Sequence, residues 1–212
     1  MKKVSLILSA VMMTAMMLSS CGGGASTEVT IGTQVWTSKN LDVSAYRNGD
    51  AIPQVQDPKA WANLTTGAWC YYDNDASNDT KYGKLYNWYA VNDPRGLAPN
   101  GYHIPSDAEW AELSDYSGGT SEAGTKMKST GTQYWQSPNT DATNESGFSG
   151  LPGGYRNYDG TFYDVGYGGD WWSSTEDGAG DAWSRDLNYF NGGVGRYDDG
   201  KGGGFSVRCL RD

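Results

Sequence analysis

From Gly118 to its end, this 212-residue chain never sustains the apolar spacing of three to four residues that lets a helix bury one face. Its apolar residues come instead in short islands, FSGLPGGYR, WWSSTE, AWSRDLN and FSVRCLRD, parted by glycine-rich turns. That pattern commits the C-terminal half to strands and loops. Nine Trp and 15 Tyr supply much of the buriable area, and each needs a partner for its N–H or O–H once buried.

The first half carries clearer local signals. VTIGTQVWT (29–37) alternates β-branched and polar residues and reads as a strand, followed by the RNGDAIP turn cluster. GAWCYYD is a short aromatic strand. In YGKLYNWYAVND, Leu85, Trp88, Tyr89 and Val91 fall at helical spacing, which predicts a short helix ending before Pro94. In PSDAEWAEL, Ser106 and Glu109 form a capping box and Trp110 and Leu113 share one face, so a second helix is predicted over about 106–116. Two short helices, small antiparallel sheets and a long loop-rich C-terminal half make an α+β fold.

Lys2 and Lys3 precede an apolar run over residues 4–18 that is shorter than the roughly 20 residues of a spanning helix. The run ends in Leu18-Ser19-Ser20-Cys21, which resembles a bacterial lipobox. Residues 1–20 are thus expected to be a lipoprotein signal peptide, Cys21 the lipidated residue, 21–28 a flexible tether and 29–212 the folded domain. An outer-membrane lipoprotein, at the cell surface or facing the periplasm, follows. Without the signal segment the chain has 14 basic against 25 acidic residues, a formal balance of −11. Such a surface repels nucleic acid, so no nucleic-acid partner is expected.

Chemistry-bearing patterns are few. Cys70 and Cys209 either bridge the middle of the chain to its end or are two separate buried thiols. His103 is the only histidine, which excludes a zinc site of several His ligands. The acidic loop from Asp73 to Asp79 starts like a calcium loop, but Asn78 stands where Gly is needed and Lys84 where Glu would close the site. Neither a metal nor a cofactor is expected, and no residues are singled out as catalytic.

IGTQVWTSKNL, YGKLYNWYAV, GYHIPSDAEWAEL, LPGGYR, WWSSTE and GFSVRCLRD closely resemble the Fibrobacter succinogenes major paralogous domain family, from about Ile31 to Asp212. More distantly, GYHIPSDAEW and the closing G-F-x-V-R are similar to the formylglycine-generating enzyme family. Both resemblances imply a C-type-lectin-like fold, with a small sheet joining the chain ends and long loops on one face. The enzyme's copper-binding cysteine pair has no counterpart beside Cys209, so the resemblance carries fold and not catalysis.

The C-terminal run also resembles the variable proteins of diversity-generating retroelements, in which rewriting the adenines of Asn codons yields Tyr, Asp, Gly, Ser, Phe, Val or Asn. Residues 158–203 fit that alphabet. Candidate ligand-binding positions in the first part are Tyr158, Asp159, Tyr163, Asp164, Tyr167, Asp170 and Asp177. Those in the second are Ser184, Asp186, Phe190, Asn191, Tyr197, Asp198 and Asp199. Trp171, Trp172 and Trp183 lie outside the alphabet and are expected to be scaffold. Tyr with Ser, Gly and Asn is also how antibody paratopes are composed. The expected function is binding of a ligand, a protein first of all. The alternative is a fixed-specificity lectin stacking glycans on Trp171, Trp172 or the tyrosines.

Overall fold

The computed structural model describes residues 28–212. The signal segment, Cys21 and the tether lie outside the described residues, save Glu28, which already opens the first strand. Among the described residues no helix is long and apolar enough to cross a membrane.

β1 (Glu28–Ile31) and β2 (Gln34–Thr37) pair antiparallel, Glu28 with Thr37 and Ile31 with Gln34. VTIGTQVWT is therefore a hairpin and not one strand. Gly32 makes the turn at φ +62°, a conformation natural to glycine. After α1 (Pro58–Ala62), β3 (Trp69–Cys70) and α2 (Asp79–Tyr82), the stretch expected as a helix from Tyr82 divides. Its first part is β4 (Leu85–Asn87), pairing Tyr86 with Trp69 and Leu85 with Cys70. Only α3 (Trp88–Val91) is helical, capped where Asn87 Oδ1 accepts from Ala90 N at 3.1 Å. Tertiary pairing overrides the helical spacing up to that cap.

β5 (Tyr102–His103) leads into α4 (Asp107–Tyr116), within the predicted bounds. Both halves of the capping box form: Glu109 N donates to Ser106 Oγ at 3.3 Å, and Ser106 N to the Glu109 carboxylate at 2.7 Å. Such a cap contributes about 1 kcal/mol. α5 (Ala123–Met127) follows, a helix too short to leave a periodic signature. With α1 to α5 all short, the expected pair of helices is an undercount.

The second half is more regular than its glycines suggest. β6 (Gly153–Arg156) and β7 (Phe162–Val165) form a hairpin. β8 (Gly168–Asp177), β9 (Asp181–Asn188) and β10 (Val194–Gly200) then form an antiparallel meander with a register shift between Trp172 and Glu176. Much of the expected loop face is therefore strand. Side chains alternate along β8, so the consecutive Trp171 and Trp172 point to opposite sides and fill two cores. Trp171 packs with Trp36, Trp110 and Phe148, and Trp172 stacks on Phe205 at 4.2 Å between centroids. Their indole N–H groups donate to Asn40 Oδ1 and Tyr86 O at 2.8 and 2.9 Å.

FSVRCLRD is not one strand. Phe205 lies in β11 (Gly204–Phe205), part of an eight-stranded sheet ordered β10-β9-β8-β6-β11-β4-β3, with β7 on β6. Leu210 lies in β12 (Leu210–Arg211), part of the four-stranded sheet β1-β2-β12-β5 that joins the chain ends. Val207 and Cys209, buried between them, pin the crossing segment.

Cys70 and Cys209 are not bridged; both are free and buried. Each is walled by a different core, Cys70 with Trp61, Tyr72 and Leu85, Cys209 with Val207 and Trp172. Burial pushes both thiols up to about 12, so they behave as small apolar residues.

Candidate functional site

Strand register assembles the site. Asp170 on β8 lies opposite Asp186 on β9, and Ser184 on β9 lies between Trp172 and Tyr197 of its neighbours. Cross-strand partners share a face, so Asp170, Ser184, Asp186, Tyr197 and Asp199 all belong to one side of the meander. Over that side opens a cleft of about 390 Å³. It is lined by Asp170, Asp186 and Asp199, by Tyr155, Tyr158 and Tyr197, and by Asn157 and Asn188. Gly195, opposite Asp186, keeps the space clear, since a Cβ there would meet the Tyr197 ring at 2.5 Å.

The three carboxylates are electrostatically unsettled. Burial first, then the charges of Asp186, Asp199 and Asp164, hold the Asp170 carboxyl well above the usual range. Burial, with Asp164 and Asp199, raises Asp186 to about 6, and Lys128 offsets this only in part. Burial also raises Asp199, although Ser184 Oγ donates to it at 2.5 Å. None of the three forms an ion pair among the described residues. Lys128 is occupied elsewhere, its Nζ donating to Thr140 O, Asn188 O and Asn191 O. Partly buried like charges with no ion-pair partner among the described residues favour a cation brought from outside, and tyrosine rings add their π faces to the same preference.

The opposite side of the meander is clamped to α4. Asp107 accepts from Arg185 Nη2 at 2.8 Å and from Arg196 Nε and Nη2 at 2.9 Å each. The Arg196 guanidinium lies 3.3 Å over the half-buried Trp183 ring. At the β8–β9 turn the buried Lys201 ammonium contacts Glu176 and donates to Gly178 O and Ala179 O. Trp171 and Trp172, expected to be scaffold, are both fully buried. Neither indole has a face open to a sugar.

The candidate positions divide by where the register puts them. Tyr158, Asp170, Asp186, Tyr197 and Asp199 meet in the cleft. Tyr163 stands beside it on β7, its ring 5.7 Å from that of Tyr155, while Asp164 follows at φ +65°. Ser184 is buried and acts on Asp199, so it cannot touch a ligand directly. Asp198 pairs with Trp183 and faces the other side, because a one-residue step reverses direction in a strand. Asp159 accepts from Thr161 N in its own turn, and Asp177 ends β8. Tyr167 and Phe190 form a separate exposed patch about Tyr189, and Asn191 Oδ1 accepts from Gly193 N. Sequence reading overlooks Tyr155, Asn157 and Asn188. The two asparagines belong to the same codon alphabet, which is the signal that points to them; Tyr155 and Asn157 lie just ahead of the 158–203 segment.

The family model described as Fibrobacter succinogenes major domain matches residues 29–211. No curated protein and no solved structure matches the chain.

Proposed function

The chain belongs to the Fibrobacter succinogenes major domain family, and on that premise we propose that it is a ligand-binding protein, held at the outer membrane by lipid on Cys21. Its partner is a protein that inserts a lysine or arginine side chain into the cleft on β6–β10. The observation that carries this reading is the trio Asp170, Asp186 and Asp199, gathered in one cleft without an ion-pair partner among the described residues and edged by Tyr155, Tyr158 and Tyr197. Tyrosine is enriched at binding hot spots, and its ring face attracts a lysine or arginine cation. Retroelement rewriting is part of the proposal. Tyr158, Asp170, Asp186, Tyr197 and Asp199 are all in the alphabet and converge in one place, while the Trp residues outside it hold the scaffold.

The proposal is tested with a short lysine- and arginine-bearing peptide and its glutamine counterpart. Wild type is expected to bind the first saturably, with affinity that falls as salt rises. Tyr158→Ala with Tyr197→Ala, which removes two exposed rings, is expected to abolish binding while leaving the circular dichroism spectrum unchanged. Equal binding of both peptides contradicts the reading. For diversification, the flanking DNA should carry a reverse transcriptase gene and a near-copy with Asn codons at these positions; a copy without them sinks that part.

A further inference from the structure

A second cavity lies on a different part of the molecule, and its electrostatic character is the reverse of the cleft's. It measures about 560 Å³ and is lined by the Ser38–Asn40 segment, Thr80 and Lys81 on α2, Tyr134, Ser149 and Arg208. We propose that this cavity binds an oxyanion: the carboxylate of a sugar acid or the phosphate of a phosphate ester.

Arg208 carries the argument. It is 1% exposed, yet no carboxylate pairs with it among the described residues. Its Nε donates to Asn40 Oδ1 at 2.7 Å, and Nη1 donates to Thr37 O and Phe148 O at 2.7 and 2.9 Å. Nη2 reaches Ser149 O only at 3.3 Å, and its second N–H has no acceptor among the described residues. A guanidinium offers five N–H groups, so one donor remains at a buried cation that lines a cavity. Burial lowers the Arg208 pKa to about 9, the response of a charge lacking its counter-ion.

The rim repeats the sign. Lys39 and Lys81 line the same cavity and form no ion pair among the described residues. Asp79, also on the rim, is already held by Lys84 at 3.3 Å. Asp42 is the opposing charge, leaving Lys39, Lys81 and Arg208 in excess within a chain whose formal balance is −9. Cations gathered at the lining of one cavity focus a local positive potential there, which concentrates anions. The Thr80 hydroxyl and the Tyr134 ring, edge-on to Tyr82 at 6.4 Å, suit a hydroxylated carrier of the anion.

The test titrates the full chain with glucuronate, inorganic phosphate and glucose, following amide chemical shifts. Saturable shifts of residues 38–42 and 80–81 with either anion, and none with glucose, are expected. A stronger response to glucuronate supports a sugar acid, and a stronger one to phosphate supports a phosphate ester. Lys39→Glu and Lys81→Glu should each weaken binding roughly threefold to tenfold, and Asp42→Asn should tighten it by a similar factor. Those exposed positions leave the buried Arg208 bonds intact, so a loss is not a loss of fold. Absence of saturable shifts with both anions overturns the proposal, as does binding that survives both charge reversals.

Discussion

Asp170 and Asp186 stand directly opposite one another on β8 and β9, two carboxyls facing one cleft, and neither forms an ion pair among the described residues. Both are raised above the ordinary carboxylate range, Asp186 to about 6. Between an unfolded value near 4 and the folded value, the native state therefore holds more protons than the unfolded chain. Stability falls as pH rises through that window. Asp186→Asn removes the penalty at neutral pH, and is expected to stabilise the free protein by on the order of 1–3 kcal/mol at pH 7.5. The gain should vanish near pH 4, where the aspartate is itself neutral. Urea denaturation at the two pH values checks this.

Asp107 makes the contrary case, a carboxylate whose partners are already in place. Burial alone would raise it, but hydrogen bonds from Arg196 and Arg185 outweigh burial and hold it low. Asp107→Ala strands Arg185, whose side chain is only 3% exposed. A loss of about 2–3 kcal/mol is expected. The β9–β10 amides should lose hydrogen-exchange protection before those of β1–β2 do.

His103 couples stability to pH in a third way. Burial pulls it down, yet Asp212 at Nδ1 (2.8 Å) and Glu109 at Nε2 (3.0 Å) prevail, and its pKa is raised. A raised histidine contributes stability that is full below its unfolded pKa and is lost as pH rises through the folded one. Wild type should therefore lose melting temperature relative to His103→Gln between about pH 6 and pH 8. The imidazole resonances of this single histidine should report a midpoint above the model-peptide value of about 6.5.

Free thiols at Cys70 and Cys209 lead to a chemical prediction. Alkylation of the unreduced chain in denaturant should modify both cysteines, and alkylation of the native protein neither, as read by mass spectrometry of the peptides carrying them. A disulfide-linked peptide pair would contradict the structure.

Legibility in the sequence followed the range of the interactions. The Ser106–Glu109 capping box is local, and the helix appears where it is read. The strand ahead of α3 escaped because pairing with another segment decided it, Leu85 against Cys70, whereas the hairpin in VTIGTQVWT hangs on one local turn at Gly32 that the alternating pattern hides. The composition of 158–203 located the cleft's neighbourhood, but not its membership. Asp198 and Asp199 are adjacent in sequence and chemically identical, yet the register turns one towards Trp183 and the other into the cleft. Ser184 shows the same limit: its type suits a contact surface, while two flanking strands bury it.

Titrating the lysine- and arginine-bearing peptide into the protein by calorimetry, at pH 7.5 and at pH 4.5, shows whether the cleft holds its ligand through its carboxylates. Protonation of Asp186 at the lower pH should weaken binding at least about tenfold. Asp186→Asn should lower the affinity at pH 7.5 and flatten the pH dependence. Equal wild-type affinity at both pH values would contradict the account, because the cleft would then be gripping its ligand without its carboxylates.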